Sequence, residues 1–92
     1  GMVTRMDRSV GRIIERLKEL KLDENTILFF TSDNGATHNV GGADSTFFKS
    51  TGDLKGLKGS LYEGGIRVPM LVRWPKKIKS GSRSDLPLAH WD

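Results

Sequence analysis

Asp33 and Asn34 stand side by side directly after an apolar run, Ile27-Leu28-Phe29-Phe30-Thr31-Ser32, with Gly35 behind them. A carboxylate and a carboxamide offer the hard oxygen ligands that calcium takes. Lys58 follows later, in Leu57-Lys58-Gly59-Ser60-Leu61-Tyr62-Glu63-Gly64-Gly65. Its ammonium is suited to holding an oxyanion as a point charge. His38, four residues past Asn34, is placed to donate a proton or to contact an anion near a metal. A cation site, a lysine and a histidine in this order point to an anionic ester as ligand. Each residue also has a plainer reading. Asp-Asn-Gly after a strand is common turn chemistry, because Asp and Asn tolerate the left-handed conformation. Lys58, between Gly56 and Gly59, reads equally as a solvated loop lysine, and His38 as an exposed loop histidine. His90 reads as structural.

Several other chemistries are excluded. The stretch Gly52-Asp53-Leu54-Lys55-Gly56-Leu57-Lys58-Gly59-Ser60 resembles a phosphate-binding loop, but Leu57 stands where that motif needs Gly before the lysine. No EF-hand spacing surrounds Asp33. The chain has no Cys, which removes disulfides, thiolate zinc sites and a cysteine nucleophile from these residues.

The elements that position these residues follow from periodicity. Met6, Val10, Ile13, Ile14, Leu17 and Leu20 recur at three- and four-residue spacing, which predicts an amphipathic helix over 4–21. Thr4 and Asp7 have capping-box spacing. Arg5, Arg8, Arg12, Arg16 and Lys18, with Glu15 and Glu19 among them, form a charged solvent face. Gly11 sits mid-helix at a cost of about 1 kcal/mol, which suggests a close packing contact there. A turn at Leu22-Asp23-Glu24-Asn25 leads to a buried strand over 26–31. A helix, a turn and a buried strand form half of a βαβ unit, so the strand before the helix belongs upstream of residue 1. Residues 33–57 are rich in Gly, Asp, Ser and Thr, and a loop of that length is usually functional or disordered. Gly59 to Tyr62 reads as one helical turn, Gly64-Gly65 as a turn, and 68–74 as a second strand ended by Pro75. Pro69 pushes that strand toward an edge. The return of apolar residues at Leu86 to Trp91 suggests that a further element is cut at Asp92.

Composition sets the bounds. At 92 residues the chain is one small domain at most. Folding at this size buries roughly 60–70% of the unfolded surface, so stability is marginal. The hydrophobic fraction of 36% is low for a compact domain. No stretch approaches the ~18 apolar residues of a membrane span. Gly1 before Met2 reads as a tag-cleavage scar, which leaves 2–92 as the region for fold reasoning. The net charge of +4 reflects an ordinary solvated surface. Lys76, Lys77, Lys79 and Arg83 form the one basic cluster, and no RNA or DNA module pattern accompanies it.

The constellation resembles a known family. Asn25-Thr26-Ile27-Leu28-Phe29-Phe30-Thr31-Ser32-Asp33-Asn34-Gly35, then Lys58-x-x-x-Tyr62-Glu63-Gly64-Gly65-Ile66-Arg67-Val68-Pro69, then Arg73-Trp74-Pro75, is similar to the type I sulfatases of the alkaline-phosphatase-like superfamily. The resemblance runs from about Met6 to Asp92. Gly41-Gly42-Ala43-Asp44 with Phe47-Phe48 looks like bacterial arylsulfatase relatives.

The resemblance implies an α/β fold: a fragment of an alkaline-phosphatase-like sheet with a flanking amphipathic helix. It implies Asp33 and Asn34 as two ligands of an active-site calcium, and Lys58 as a catalytic and sulfate-binding contact. His38 carries over as a contact to substrate or leaving group. Glu63, Gly64, Gly65 and Arg67 would shape the turn behind Lys58. The family nucleophile is a formylglycine made in a Cys/Ser-x-Pro/Ala-x-Arg motif. Ser32, Ser60 and Ser82 lack the following Pro/Ala-x-Arg. The resemblance implies a parent enzyme that hydrolyses aryl or carbohydrate sulfate esters with Ca2+, exported in many relatives. The present chain is then an inactive piece that binds calcium weakly or not at all and self-associates through uncovered sheet edges. The rival readings are a non-catalytic interaction module of the same ancestry and a small basic nucleic-acid binder. Relatives commonly carry Gly where Lys21 stands, so the helix exit is expected to differ.

Overall fold

The computed structural model describes residues 1–92. In chain order they form helix α1 (Met2–Glu19), a 3-10 turn (Asp23–Asn25), strand β1 (Leu28–Thr31), a short helix α2 (Glu63–Ile66) and strand β2 (Met70–Arg73). β1 and β2 are hydrogen-bonded neighbours in a two-stranded sheet, which makes the chain α/β. Two units divide the chain, one of residues 1–28 with 72–92 and one of 29–71.

In the first unit α1 begins two residues earlier than its periodicity predicts. Gly1 is its N-cap and no side chain caps it, so the Thr4–Asp7 box does not form. With the start moved to Met2, both residues lie inside the helix. Arg16 and Lys18 in the last turn oppose the helix dipole favourably. Of the predicted stripe, Val10, Ile14 and Leu17 are half-buried, whereas Met6, Ile13 and Leu20 stay exposed. Gly11 has open space where a Cβ would go, so no close packing explains it.

The helix exit is specific. The Leu22 N–H donates to the Leu17 carbonyl at 2.9 Å and the Lys21 N–H to the Lys18 carbonyl at 2.9 Å. These two bonds form a Schellman motif, whose C′ residue must be left-handed. Lys21 takes that place with φ +58. The exit therefore keeps the geometry a glycine would favour, despite the lysine.

Beyond the exit, a polar latch holds the 3-10 turn. The Arg73 guanidinium forks onto Asp23, with Nη1 to Oδ1 at 2.5 Å and Nη2 to Oδ2 at 3.0 Å. Trp74 Nε1 donates to the Glu24 carbonyl at 3.2 Å. Lys76 pairs with the Glu24 carboxylate at 3.4 Å, so one member of the basic cluster is neutralised locally. The hydrogen bond from Arg73 holds the Asp23 carboxyl below the usual carboxylate range.

Both strands are shorter than their apolar runs. β1 lacks Thr26 and Ile27, and Phe29 is 55% exposed. The strand predicted as buried is thus half-covered, because one partner strand shields only part of it. β2 starts at Met70, since Pro69 lacks the N–H a ladder needs. No hydrophobic side chain anywhere in the chain is buried. The buried residues are Gly64 and Gly65 in α2, in the second unit. They lie in a helix rather than the predicted turn, and Gly59 to Tyr62 precedes that helix.

The long loop after β1 is wound by its own polar side chains. Asn39 Oδ1 accepts from the Ser45 N–H at 2.9 Å, and Asp44 Oδ1 from the Thr46 and Phe47 N–H groups, both at 2.9 Å. A short bridge joins Val40 to Ala43. These local bonds give the segment a defined path, as Asx turns do. They present Phe47 and Phe48 as an edge-to-face pair 5.0 Å apart.

Candidate functional site

Two backbone bonds within the second unit join the two motifs, and a third closes the Lys58 loop onto α2. The Gly35 N–H donates to the Gly65 carbonyl at 2.9 Å, the Lys58 N–H to the Ala36 carbonyl at 2.7 Å, and the Gly64 N–H to the Lys55 carbonyl at 2.7 Å. The approach is close enough to demand glycine. A Cβ on Gly35 would collide with the Gly64 carbonyl oxygen and lie 2.8 Å from its carbon. A Cβ on Gly64 would strike the Gly56 carbonyl oxygen and come 2.7 Å from that of Lys55. The glycine pair of α2 is therefore the seam at which the Asp33-Asn34 segment meets the Lys58 loop.

Lys58 itself occupies the corner of a tight turn. The Ser60 N–H donates to the Leu57 carbonyl at 2.9 Å, and Gly59 has φ +90. This is a type II turn, with Lys58 first and glycine second of the two central residues. The Lys58 side chain leaves the corner exposed. Below the turn the Ser60 hydroxyl is buried without a partner.

His38 and Lys58 line one open groove, together with Lys55, the turn 56–60 and Tyr62. Asn34 lines a separate hollow with Ser32, Gly35, Thr51 and Arg67. Asp33 is exposed and lines neither. The structure thus brings His38 and Lys58 together. It ties the Asn34 segment to them through the backbone bonds at Gly35 and Ala36. Arg67 and Glu63 pair at 3.3 Å on the exposed side of α2.

Sequence reading missed Lys55. Its Nζ lies 4.0 Å from the centre of the Tyr62 ring. No periodic signal relates these two residues across a turn. The Gly64-Gly65 pair reads from sequence as a turn, and nothing in it marks Gly35 as a partner.

The donor chemistry of Asp33 and Asn34 suits calcium. Asn34 Nδ2 donates to the Gly35 carbonyl at 2.8 Å, and the carboxamide oxygen is the atom that could face a cation. The number is short of a full set, since no group of three or more His, Cys, Asp or Glu is gathered to hold a metal. Calcium takes about 6–8 oxygens.

The sulfatase family profile matches residues 1–92. The chain belongs to the sulfatase family. Steryl-sulfatase from Homo sapiens is 43% identical over 91 residues, 98% of this chain and 16% of that protein. N-acetylgalactosamine-6-O-sulfatase from Bacteroides thetaiotaomicron is 39% identical over 90 residues, 92% of this chain and 18% of that protein. Arylsulfatase H from Canis lupus familiaris is 38% identical over 91 residues, 98% of this chain and 16% of that protein. This sulfatase chain spans under a fifth of the length of these relatives. None of its helices is long and apolar enough to cross a membrane.

Proposed function

We propose that this chain is part of the catalytic domain of a sulfuric ester hydrolase of alkaline-phosphatase-like fold, acting on aryl or carbohydrate sulfate esters. The observation that carries the reading is the seam. Bonds from Gly35 to Gly65 and from Lys58 to Ala36 set an anion-binding lysine against the segment that holds Asp33 and Asn34. Membership of the sulfatase family supports it.

Breaking a sulfate ester places negative charge on the sulfuryl oxygens and on the leaving oxygen, and fixed positive groups lower that barrier. Lys58, on its turn corner, binds and orients the sulfuryl group. His38, on the same groove, contacts the leaving-group oxygen. Asp33 and Asn34 would supply two of the oxygens that hold a calcium ion, which would add positive charge to the site. The anchored turn keeps the Lys58 backbone from reorganising as charge develops. The chain carries no formylglycine motif, so by itself it is inactive. An assay of the purified chain on an aryl sulfate with calcium should show no turnover. Turnover abolished by Lys58→Ala would overturn that.

With two ligands the chain binds calcium weakly. Calorimetry should show no affinity tighter than roughly millimolar, the range of incomplete or weak sites. Micromolar affinity lost in Asp33→Ala would contradict this.

The activity itself is tested by grafting. Residues 2–92 replace the matching segment of the Bacteroides enzyme. The graft should hydrolyse sulfate esters, and Lys58→Ala within it should lower kcat/KM by about 100-fold or more. An active graft indifferent to Lys58→Ala would remove the lysine from the proposed role.

A further inference from the structure

The groove around Lys58 carries more positive charge than one sulfate group requires. Two ammonium groups, those of Lys55 and Lys58, line it, and no carboxylate does. Lys55 is held at both ends. Its carbonyl accepts the Gly64 N–H at 2.7 Å, and its ammonium rests 4.0 Å over the Tyr62 ring. Tyr62 is fixed in turn as the N-cap of α2, its carbonyl accepting the Gly65 N–H at 2.8 Å. No carboxylate pairs with Lys55, unlike Lys76, which Glu24 neutralises. A ring face attracts an ammonium without using up its three N–H donors, which remain available to an anion. The same contact restrains a flexible side chain in advance, so less rotamer freedom is lost on binding. An unpaired, pre-positioned ammonium three residues from the sulfate-binding lysine is arranged to meet a second negative group.

We propose that Lys55 and Tyr62 form a second anion subsite beside Lys58. The substrate is then a carbohydrate sulfate ester with a second anionic substituent, a sulfate or a carboxylate, near the scissile one. This rests on the reading of Lys58 as the sulfate contact and narrows its substrate class.

The test uses the 92-residue chain and the ring signals of Tyr62, its one tyrosine, in NMR titrations. The probes are a monosulfated disaccharide, its disulfated counterpart, and a monosulfated disaccharide containing a uronate. Either dianionic probe should bind roughly tenfold more tightly than the monosulfated one, the effect of one charge-assisted hydrogen bond. A preference for one dianion over the other identifies the second group. Lys55→Gln should abolish the preference, because it weakens the dianionic probes more than the monosulfated one. Lys77→Gln, which removes the same charge from an exposed position of the other unit, should leave the preference intact. Equal affinity for all probes in the native chain, or equal loss in Lys77→Gln, would overturn the subsite. Lys58→Gln should weaken all three probes alike. If it weakens none while Lys55→Gln still acts, the subsite stands and the reading of Lys58 falls.

Discussion

Gly35 is the residue on which the site depends most. Its missing side chain lets the Asp33-Asn34 segment touch the α2 glycines backbone to backbone. Gly35→Ala would force a methyl against a carbonyl that cannot swing aside. The expected loss is about 1–3 kcal/mol, as for other overpacking changes, read as a lowered urea midpoint. The Lys58 and Ala36 amide signals should shift with it. Asp23 is a second residue with a measurable consequence. Its carboxyl pKa is lowered in the folded chain by the hydrogen bond from Arg73. A group lowered on folding stabilises above its unfolded pKa, about 3.9 for Asp, and loses that contribution as pH falls through the folded value. The stability difference between the native chain and Asp23→Asn should therefore be constant from pH 7 to about 5. It should shrink as the pH drops below about 4. A difference that persists at pH 2 would show that the latch acts through shape rather than charge.

The elements record how local chemistry and packing divide the work. α1 forms where periodicity places it, but Gly1 rather than the Thr4–Asp7 box marks its start. Its end is a Schellman motif with a lysine in the left-handed position. A side chain there costs about 1–2 kcal/mol against glycine, partly offset by the greater freedom of an unfolded glycine. Lys21→Gly should thus stabilise the chain by about 0.5–1 kcal/mol, seen as a raised thermal midpoint. A lower midpoint would mean that the lysine makes a compensating interaction. The strands were legible as apolar runs, but their lengths were not. Pro69 trims β2, and the first residues of the run at Ile27 find no ladder partner.

At the scale of the whole chain, the large apolar side chains are uncovered. Phe47 is 78% exposed, Leu61 93% and Trp91 88%, and the buried residues are two glycines. Exposed apolar surface on this scale drives association. β1 and β2 also leave outer edges open to pairing. The chain should self-associate, with a weight-average mass above the monomer that rises with concentration in sedimentation equilibrium. A clean monomer at tens of micromolar with cooperative unfolding would contradict this.

The sequence alone carried the family, the α/β class, the helix and the two strands. All of these are written in local patterns: the spacing of apolar residues, the Asp-Asn-Gly after a strand, the Lys-x-x-x-Tyr-Glu-Gly-Gly segment. Tertiary structure decided the rest. It chose Gly35 as the partner of Gly64, set the Lys55 ammonium over Tyr62, and left Phe29 half in water. The reason is that periodicity and turn preference act within a few residues. Which backbone can approach which, and which charge finds a ring or a carboxylate, depends on segments brought together from far apart in the chain.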